Sequence, residues 1–170
     1  DLILSGVNRG NNSAENALYS GTLGAAIEGA LQGIRSIALS QYLGPKNLNI
    51  DDPFEASDKH GADLIQNILS QKDMSQKDYK TFYNINFPPC PAHDVKGVRA
   101  TPQGFRKNIH FTVEPIKTPS VRKFLFVKGG DQQVSAQRGS DADANLNGFI
   151  SVTPMTADLT DYDTLMGLKD

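Results

Sequence analysis

The chain has 170 residues, a formal net charge of -2, and ordinary fractions of hydrophobic (38%) and charged (21%) residues. This size fits one soluble domain, the near-neutral charge gives no reason to expect a nucleic-acid polymer or membrane surface as partner, and no apolar run approaches the roughly 20 residues that cross a bilayer. The single cysteine, Cys90, excludes an internal disulfide and a zinc site built from cysteines, and it fits a cytoplasmic location.

The first elements predict a βαβ unit. Residues 2–4 are apolar and read as a short buried strand, and a loop rich in Gly, Asn and Ser follows over residues 6–16. Helical spacing of small and apolar residues predicts a helix over residues 21–33 with Ser20 as its N-cap, and residues 36–40 form the next predicted strand. Ligands bind at the carboxyl ends of strands in open α/β sheets, and a helix start favours an anion such as phosphate. The loop after the first strand is therefore the predicted ligand site.

The rest of the chain predicts one more βα layer and then an α+β region. The expected elements are a helix over 55–71, strands over 81–87, 96–101, 109–113, 123–127 and 148–154, a loop over 129–147, and a short helix that begins at Asp158. The strands over 109–113 and 123–127 suggest a long hairpin that projects from the core.

Asn8 and Ser20 are the candidate site residues around the first loop. An amide oxygen at Asn8 suits a divalent cation bound alongside carboxylates, and a turn-forming Asn is the alternative. Ser20 and Thr22, with the N–H of Gly21, can hydrogen-bond phosphate oxygens, and helix capping alone is the alternative for Ser20. A covalent role for Ser20 is disfavoured because no histidine lies near it in sequence.

Other patterns are disfavoured. Residues 141–152 approach a calcium-binding EF-hand loop, but Leu146 and Val152 stand where that motif needs Gly and Glu. Residues 6–10 match neither the dinucleotide-binding G-x-G-x-x-G motif nor the ATP-binding P-loop. The histidines are too scattered for a metal-binding H-x-x-x-H pair: His60, His93 and His110.

Motifs spread over nearly the whole chain form an ordered set. They are Ser5-Gly6-Val7-Asn8-Arg9-Gly10, Tyr19-Ser20-Gly21-Thr22, Ala25-Ala26-Ile27-Glu28-Gly29, Ile34 to Ser40, Asn84-Ile85-Asn86-Phe87-Pro88, Gly97-Val98-Arg99-Ala100-Thr101, Ser140-Asp141 with Gly148 to Pro154, and Asp158-Leu159-Thr160. As an ensemble this set resembles the SurE family, the survival-protein 5'-nucleotidases. The resemblance implies a three-layer, Rossmann-like α/β fold in which helices flank a mostly parallel sheet, with a projecting β-hairpin and a C-terminal helix.

The resemblance also implies a metal-dependent phosphatase that hydrolyses nucleoside 5'-monophosphates with Mg or Mn. Of the family's metal ligands only the Asn maps onto this sequence, at Asn8. The adjacent Asp pair and the Ser would lie before Asp1, and Asp51-Asp52 is not that pair because it follows the wrong elements. Ser20, Gly21 and Thr22 are expected beside the phosphate, so that Asn8 and Ser20 are the implied catalytic residues.

The family further implies a homodimer or homotetramer. We expect residues 1–170 to form a single domain that lacks its N-terminal strands and therefore exposes an apolar sheet edge. Within it, residues 104–128 are the expected projecting hairpin and residues 158–170 the C-terminal segment for oligomer contacts. Two alternatives stay open: a non-catalytic nucleotide-binding or oligomerisation module, and a phosphatase for another phosphomonoester.

Overall fold

A computed structural model describes residues 1–71, 80–107, 109, 111–116 and 122–168. Short 3-10 helices cover Ala14–Tyr19 and Ala92–Asp94. The other elements of the described residues are, in chain order, β1 (Leu2–Arg9), α1 (Gly21–Leu31), β2 (Arg35–Gln41), α2 (Glu55–Ser70), β3 (Phe82–Phe87), β4 (Val98–Ala100), β5 (Thr112–Ile116), β6 (Phe124–Lys128), α3 (Asp141–Leu146), β7 (Ile150–Met155) and α4 (Tyr162–Gly167).

The main sheet has five strands in the order β1-β2-β3-β7-β4. Strands β1, β2 and β3 are parallel, β7 runs antiparallel to β3, and β4 is parallel to β7. Helix α1 connects β1 to β2, and α2 lies between β2 and β3 in the chain. This is the mostly parallel α/β sheet that the sequence predicted.

Alternate side chains of β2 show that helices cover both faces of this sheet. Ile37 and Leu39 pack in one buried cluster with Ala56, Leu64 and Ile68 of α2. Ala38, which points to the opposite face because strand side chains alternate, packs in a second cluster that contains Leu23, Ala26 and Ala30 of α1. The three layers that the resemblance implied are therefore present.

Gly29 allows α1 to lie close against the sheet. A Cβ atom built on Gly29 would lie 2.3 Å from Ser36 Oγ and 2.6 Å from Ile3 Cδ1, distances that packed atoms do not adopt. The small residues of the predicted helix thus serve close packing, since a side chain at this position would push α1 away from β1 and β2.

Strand β1 differs from its prediction in two ways. It continues through Gly6 to Arg9, where a loop was expected, because a bulge at Gly6 lets the ladder resume. It is also an edge strand in the described sheet, so Leu2, Leu4 and Val7 are 38%, 47% and 40% exposed and the prediction of a buried strand was wrong. The expected apolar edge is present, and such edges favour association with another chain.

The later elements also correct the prediction. The expected hairpin is confirmed as the antiparallel pair of β5 and β6, which forms a separate two-stranded sheet. Strand β5 begins at Thr112, about three residues later than predicted. The predicted loop over 129–147 was wrong, since its end forms α3, whose N-cap Ser140 accepts a hydrogen bond from the N–H of Asp143 at 3.4 Å. The last helix begins after Asp161, which caps it, and not at Asp158.

Part of the predicted hairpin turn, residues 117–121, lies outside the described residues, as does His110. Among the helices that are described, none combines the length and the apolar character needed to span a bilayer.

Candidate active site

A β-bulge in β1 decides which way Asn8 points. Ser5 pairs with Ala38, but Asn8 pairs with Ser40, so β1 carries one more residue than β2 between these two pairs. The bulge centres on Gly6, which has φ +131° and whose added Cβ would lie 2.2 Å from the carbonyl oxygen of Leu39. Because strand side chains alternate, one extra residue turns every following side chain to the other face. Asn8 therefore owes its orientation to Gly6.

The amide of Asn8 keeps its oxygen available. Its Nδ2 donates a hydrogen bond to the carbonyl oxygen of Gly10 at 3.0 Å, which is the turn-stabilising contact that the sequence left open. The Oδ1 atom of this half-buried side chain accepts no hydrogen bond from any group in the described part of the chain. A fixed amide with a free carbonyl-type oxygen is a suitable ligand for a hard cation such as Mg²⁺, so Asn8 fits the role that the resemblance implies.

Ser20 begins α1 and caps it, as predicted. Its Oγ accepts a hydrogen bond from the N–H of Leu23 at 3.2 Å, and its carbonyl oxygen accepts from the N–H of Gly24 at 3.0 Å. The helix N–H groups that come before these, on Gly21 and Thr22, have no acceptor within the described part of the chain. The hydroxyl proton of Ser20 is not used in capping. This helix start can therefore cap itself and still donate hydrogen bonds to an anion.

Buried polar side chains hold the loop that joins Asn8 to Ser20 by bonding to Asn12 in that loop. The backbone N–H of Asn12 donates to Asn86 Oδ1 at 2.7 Å, and its Nδ2 donates to Ser40 Oγ at 2.7 Å. The Nδ2 of Asn84 donates to the carbonyl oxygen of Asn12 at 2.9 Å. Ser40 lies on β2, and Asn84 and Asn86 lie on β3, and the sequence analysis gave none of the three a role. The signal for the two asparagines was the pattern Asn-Ile-Asn, which places two polar side chains on one face of an otherwise apolar strand.

A second set of buried polar groups comes from distant parts of the chain. The carboxylate of Asp141 is fully buried and accepts hydrogen bonds from the N–H groups of Ala14, Gly104 and Ala142 at 2.9, 2.8 and 2.7 Å. Burial raises the pKa of Asp141, and these donors together with the positive charge of Arg106 act in the opposite direction. Both oxygens of this carboxylate thus accept backbone N–H groups, and residues 141–146 form helix α3 where an EF-hand would have its ligand loop.

Arg106 is 2% exposed and reaches the same loop. Its guanidinium donates to the carbonyl oxygen and the hydroxyl of Ser13 at 3.1 and 2.9 Å, and it pairs with Glu15 at 3.5 Å. Sequence reasoning missed Arg106 and gave Asp141 no site role, because only the folded chain brings residues about 90 and 127 positions apart into contact.

Residues just after the hairpin lie over the same loop. The Oε1 atom of Gln132 accepts hydrogen bonds from the side chains of Asn11 and Asn16 at 2.8 and 2.5 Å. The hydroxyl of Tyr42 donates to the carbonyl oxygen of Gln132 at 2.5 Å, and burial raises the pKa of Tyr42 to about 12. The hairpin is thus connected by a few residues to the loop between Asn8 and Ser20.

The two histidines that the structure describes, His60 and His93, lie away from Asn8 and Ser20. His60 lies on α2 and its Nε2 contacts the carbonyl oxygen of Ala92 at 3.1 Å, whereas His93 is exposed beside Asp94. The described residues contain no group of three or more His, Cys, Asp or Glu side chains that could hold a metal ion. Any cation at Asn8 therefore needs ligands beyond these side chains.

The fold is that of an α/β protein with a free amide oxygen near the end of β1, at Asn8, and free backbone N–H groups at the start of α1, on Gly21 and Thr22. The family model described as "Survival protein SurE" matches residues 1–110. The chain is 59% identical over 169 residues to "5'-nucleotidase SurE" of Ruegeria pomeroyi and 57% identical over 168 residues to the protein of that name in Roseobacter denitrificans. These alignments cover 99% of this chain and 65% and 64% of the two relatives.

A solved structure agrees with these sequence matches. The crystal structure of the SurE protein from Aquifex aeolicus superposes with a TM-score of 0.75 at 34% identity, over 99% of this chain and 64% of that chain. The chain belongs to the SurE family, and it spans slightly under two thirds of the length of these relatives.

Proposed function

We propose that this protein is a metal-dependent phosphatase that hydrolyses nucleoside 5'-monophosphates to nucleoside and phosphate. The observation that carries the proposal is the pairing of a free amide oxygen at Asn8 with an anion-type helix start at Ser20, joined by one short, well-held loop. The names of the relatives, which are 5'-nucleotidases of the same family, support the choice of substrate.

In this proposal Asn8 is a metal ligand. Its amide nitrogen is tied to Gly10, so the oxygen does not rotate away, and the bulge at Gly6 sets its direction. When bound, Mg²⁺ or Mn²⁺ would neutralise phosphoryl oxygens and lower the pKa of a coordinated water. The adjacent Asp pair and the Ser that the resemblance implies as further ligands have no counterpart among residues 1–170.

Ser20, Gly21 and Thr22 bind the phosphate in this proposal. The hydroxyl proton of Ser20 and the N–H groups of Gly21 and Thr22 are donors held in place by the first turn of α1. Such preorganised donors stabilise the negative charge of the phosphoryl oxygens without reorganising during the reaction. Asn8 and Ser20 are therefore the residues of this chain to which we assign catalytic roles.

The hairpin carries a proposal about assembly. In β5 and β6, Val113 pairs with Val127 and Pro115 with Leu125. Because strand side chains alternate, these four share one face, which is apolar throughout and exposed. The other face is mixed: it carries the Glu114–Lys128 ion pair at 2.7 Å together with exposed Ile116, Phe124 and Phe126. We assign the apolar face within 104–128, with the C-terminal segment 158–170, whose residues 159–168 are exposed, to contacts in a homodimer or homotetramer of a cytoplasmic, single-domain protein.

Phosphate release by the intact protein tests the function. With Mg²⁺ or Mn²⁺ we expect release from nucleoside 5'-monophosphates, and loss of release after chelation. Asn8→Ala should raise the metal concentration needed for half-maximal activity by about tenfold or more, since one oxygen ligand is removed. Asn8→Asp, which keeps an oxygen at this position, is the matched control and should retain metal-dependent activity.

Other outcomes separate the alternatives. Release from sugar phosphates but not from nucleotides would point to another phosphomonoester as substrate. Nucleotide binding without release, in the presence of metal, would point to a binding module. An unchanged metal requirement in Asn8→Ala would remove Asn8 from the metal site.

A further inference from the structure

Ala14 has the conformation that most constrains the loop between Asn8 and Ser20. It has φ +53°, in the left-handed region, and it is the only described residue other than glycine with a positive φ. A side chain makes this conformation costly, so it persists only where the surroundings fix it. Ala14 is also fully buried and is the first residue of the 3-10 helix Ala14–Tyr19, which leads directly into Ser20.

Both peptide groups of Ala14 are fixed by side chains from another part of the chain. Its N–H donates to Asp141 Oδ2 at 2.9 Å, and its carbonyl oxygen accepts from Gln103 Nε2 at 3.0 Å. Asp141 also fixes the position of Gln103, because its Oδ1 accepts the N–H of Gly104 at 2.8 Å. A Cβ on Gly104 would lie 2.4 Å from Ser140 Oγ, so only glycine lets this segment approach α3.

We propose that Asp141 and Gln103 are positioning residues that hold Ala14 in its left-handed conformation and thereby place Ser20 for phosphate. The hydrogen bonds of Asp141 and Gln103 support the claim that they hold Ala14. The claim that this placement aids catalysis rests on the proposed function. The path is short: Asp141 and Gln103 fix Ala14, Ala14 starts the 3-10 helix, and the N–H of Ser20 bonds to the carbonyl oxygen of Ala17 at 3.3 Å at the end of that helix.

The matched variants are Asp141→Asn and Gln103→Glu. Asp141→Asn replaces one of the two oxygens that accept backbone N–H groups, and Gln103→Glu turns the donor to Ala14 into an acceptor of similar shape. Asp143→Asn is the control, because Asp143 lies on the same helix, but within the described residues its carboxylate accepts hydrogen bonds only from Gly139 and Asn147. Gln103 is only half-buried, so its variant folds even where the change at buried Asp141 is too disruptive.

The first readout is amide hydrogen exchange in the intact protein, which needs no activity. We expect residues 13–23 to exchange about tenfold faster or more in Gln103→Glu and Asp141→Asn, and at the wild-type rate in Asp143→Asn. Unchanged exchange over 13–23 in both variants overturns the proposal, whether or not the wild-type protein hydrolyses nucleotides.

The second readout is the steady-state kinetics of phosphate release from a nucleoside 5'-monophosphate. We expect kcat to fall about tenfold or more with KM changed less than about threefold, since a misplaced donor weakens transition-state stabilisation most. Adding Ala14→Gly to Gln103→Glu should restore most of kcat, because glycine adopts a positive φ without strain. A kcat within twofold of wild type in Gln103→Glu, or no rescue by Ala14→Gly, overturns the catalytic part.

Discussion

Gly6 and Leu39 approach each other so closely that a single methyl group cannot fit between them. A Cβ on Gly6 would lie 2.2 Å from the carbonyl oxygen of Leu39, and Gly6 has φ +131°. The contact lies at the β-bulge that turns Asn8 toward its position opposite Ser40. The metal ligand proposed for this chain thus depends on a glycine two residues before it.

We therefore expect Gly6→Ala to lower the free energy of unfolding by about 2 to 6 kcal/mol, the sum of backbone strain and overpacking. Gly10→Ala is the matched control, because Gly10 also has a positive φ but its Cβ would meet only Asn8 Nδ2 at 3.9 Å. Gly10→Ala should lower the free energy of unfolding by about 1 to 3 kcal/mol, because it introduces backbone strain without overpacking. Urea unfolding measures both, and equal losses in the two variants would contradict the bulge argument.

Two substitutions at Ser20 separate capping from phosphate binding. Ser20→Ala should lower the free energy of unfolding by about 1 kcal/mol, whereas Ser20→Gly should lower it by only a few tenths, because glycine is a tolerated N-cap. Both remove the hydroxyl, so both should lower kcat/KM for phosphate release by roughly 10- to 100-fold, as expected for one lost hydrogen bond to a charged group. If Ser20→Gly has the same kcat/KM as the wild type, Ser20 only caps the helix and does not bind phosphate.

Tyr42 predicts a stability change at alkaline pH. Burial raises its pKa from 10.0 to about 12, so between these values the unfolded chain loses this proton while the folded chain keeps it. The unfolded state then binds fewer protons, and the free energy of unfolding falls as pH rises from about 10 to 12, by about 2 to 3 kcal/mol.

Tyr42→Phe isolates this effect. The variant loses the hydrogen bonds of the hydroxyl to the carbonyl oxygen of Gln132 and from Nε2 of Gln133, which lowers stability by about 1 to 2 kcal/mol at every pH, but it carries no ionisable group at this position. Urea titrations at pH 9 and pH 11.5 should therefore show a smaller loss of stability in the variant than in the wild type. Parallel losses in both proteins would show that Tyr42 titrates normally in the folded state.

The apolar face of the hairpin predicts the effect of charge on assembly. Leu125→Asp places a carboxylate on the face shared by Val113 and Val127, and we expect it to shift the intact protein to a smaller species in sedimentation velocity. Thr112→Asp adds the same charge on the opposite face, beside Lys128, and should leave the mass unchanged. The same mass in Leu125→Asp as in wild type would contradict a role for this face.

Helix α1 and the two candidate site residues on either side of the loop before it follow from the sequence alone. Spacing of small and apolar residues was enough to place α1, and Ser20 caps it as an N-cap residue should. The polar stretch after the first apolar residues singled out Asn8 and Ser20 as candidates, because a helix start is a local property of the chain, although Asn8 lies within β1 and not in a loop. The phosphate and metal roles of these residues stay predictions.

Only the tertiary structure decided how these residues are held. The register of β1 against β2 turns Asn8, and no local pattern reveals which face a strand presents after a bulge. Asp141 lies 127 residues from Ala14 in the chain, yet the two share a 2.9 Å hydrogen bond. Such contacts depend on which segments meet when the sheet and helices pack, because a buried carboxylate is stable only where the fold brings donors to it.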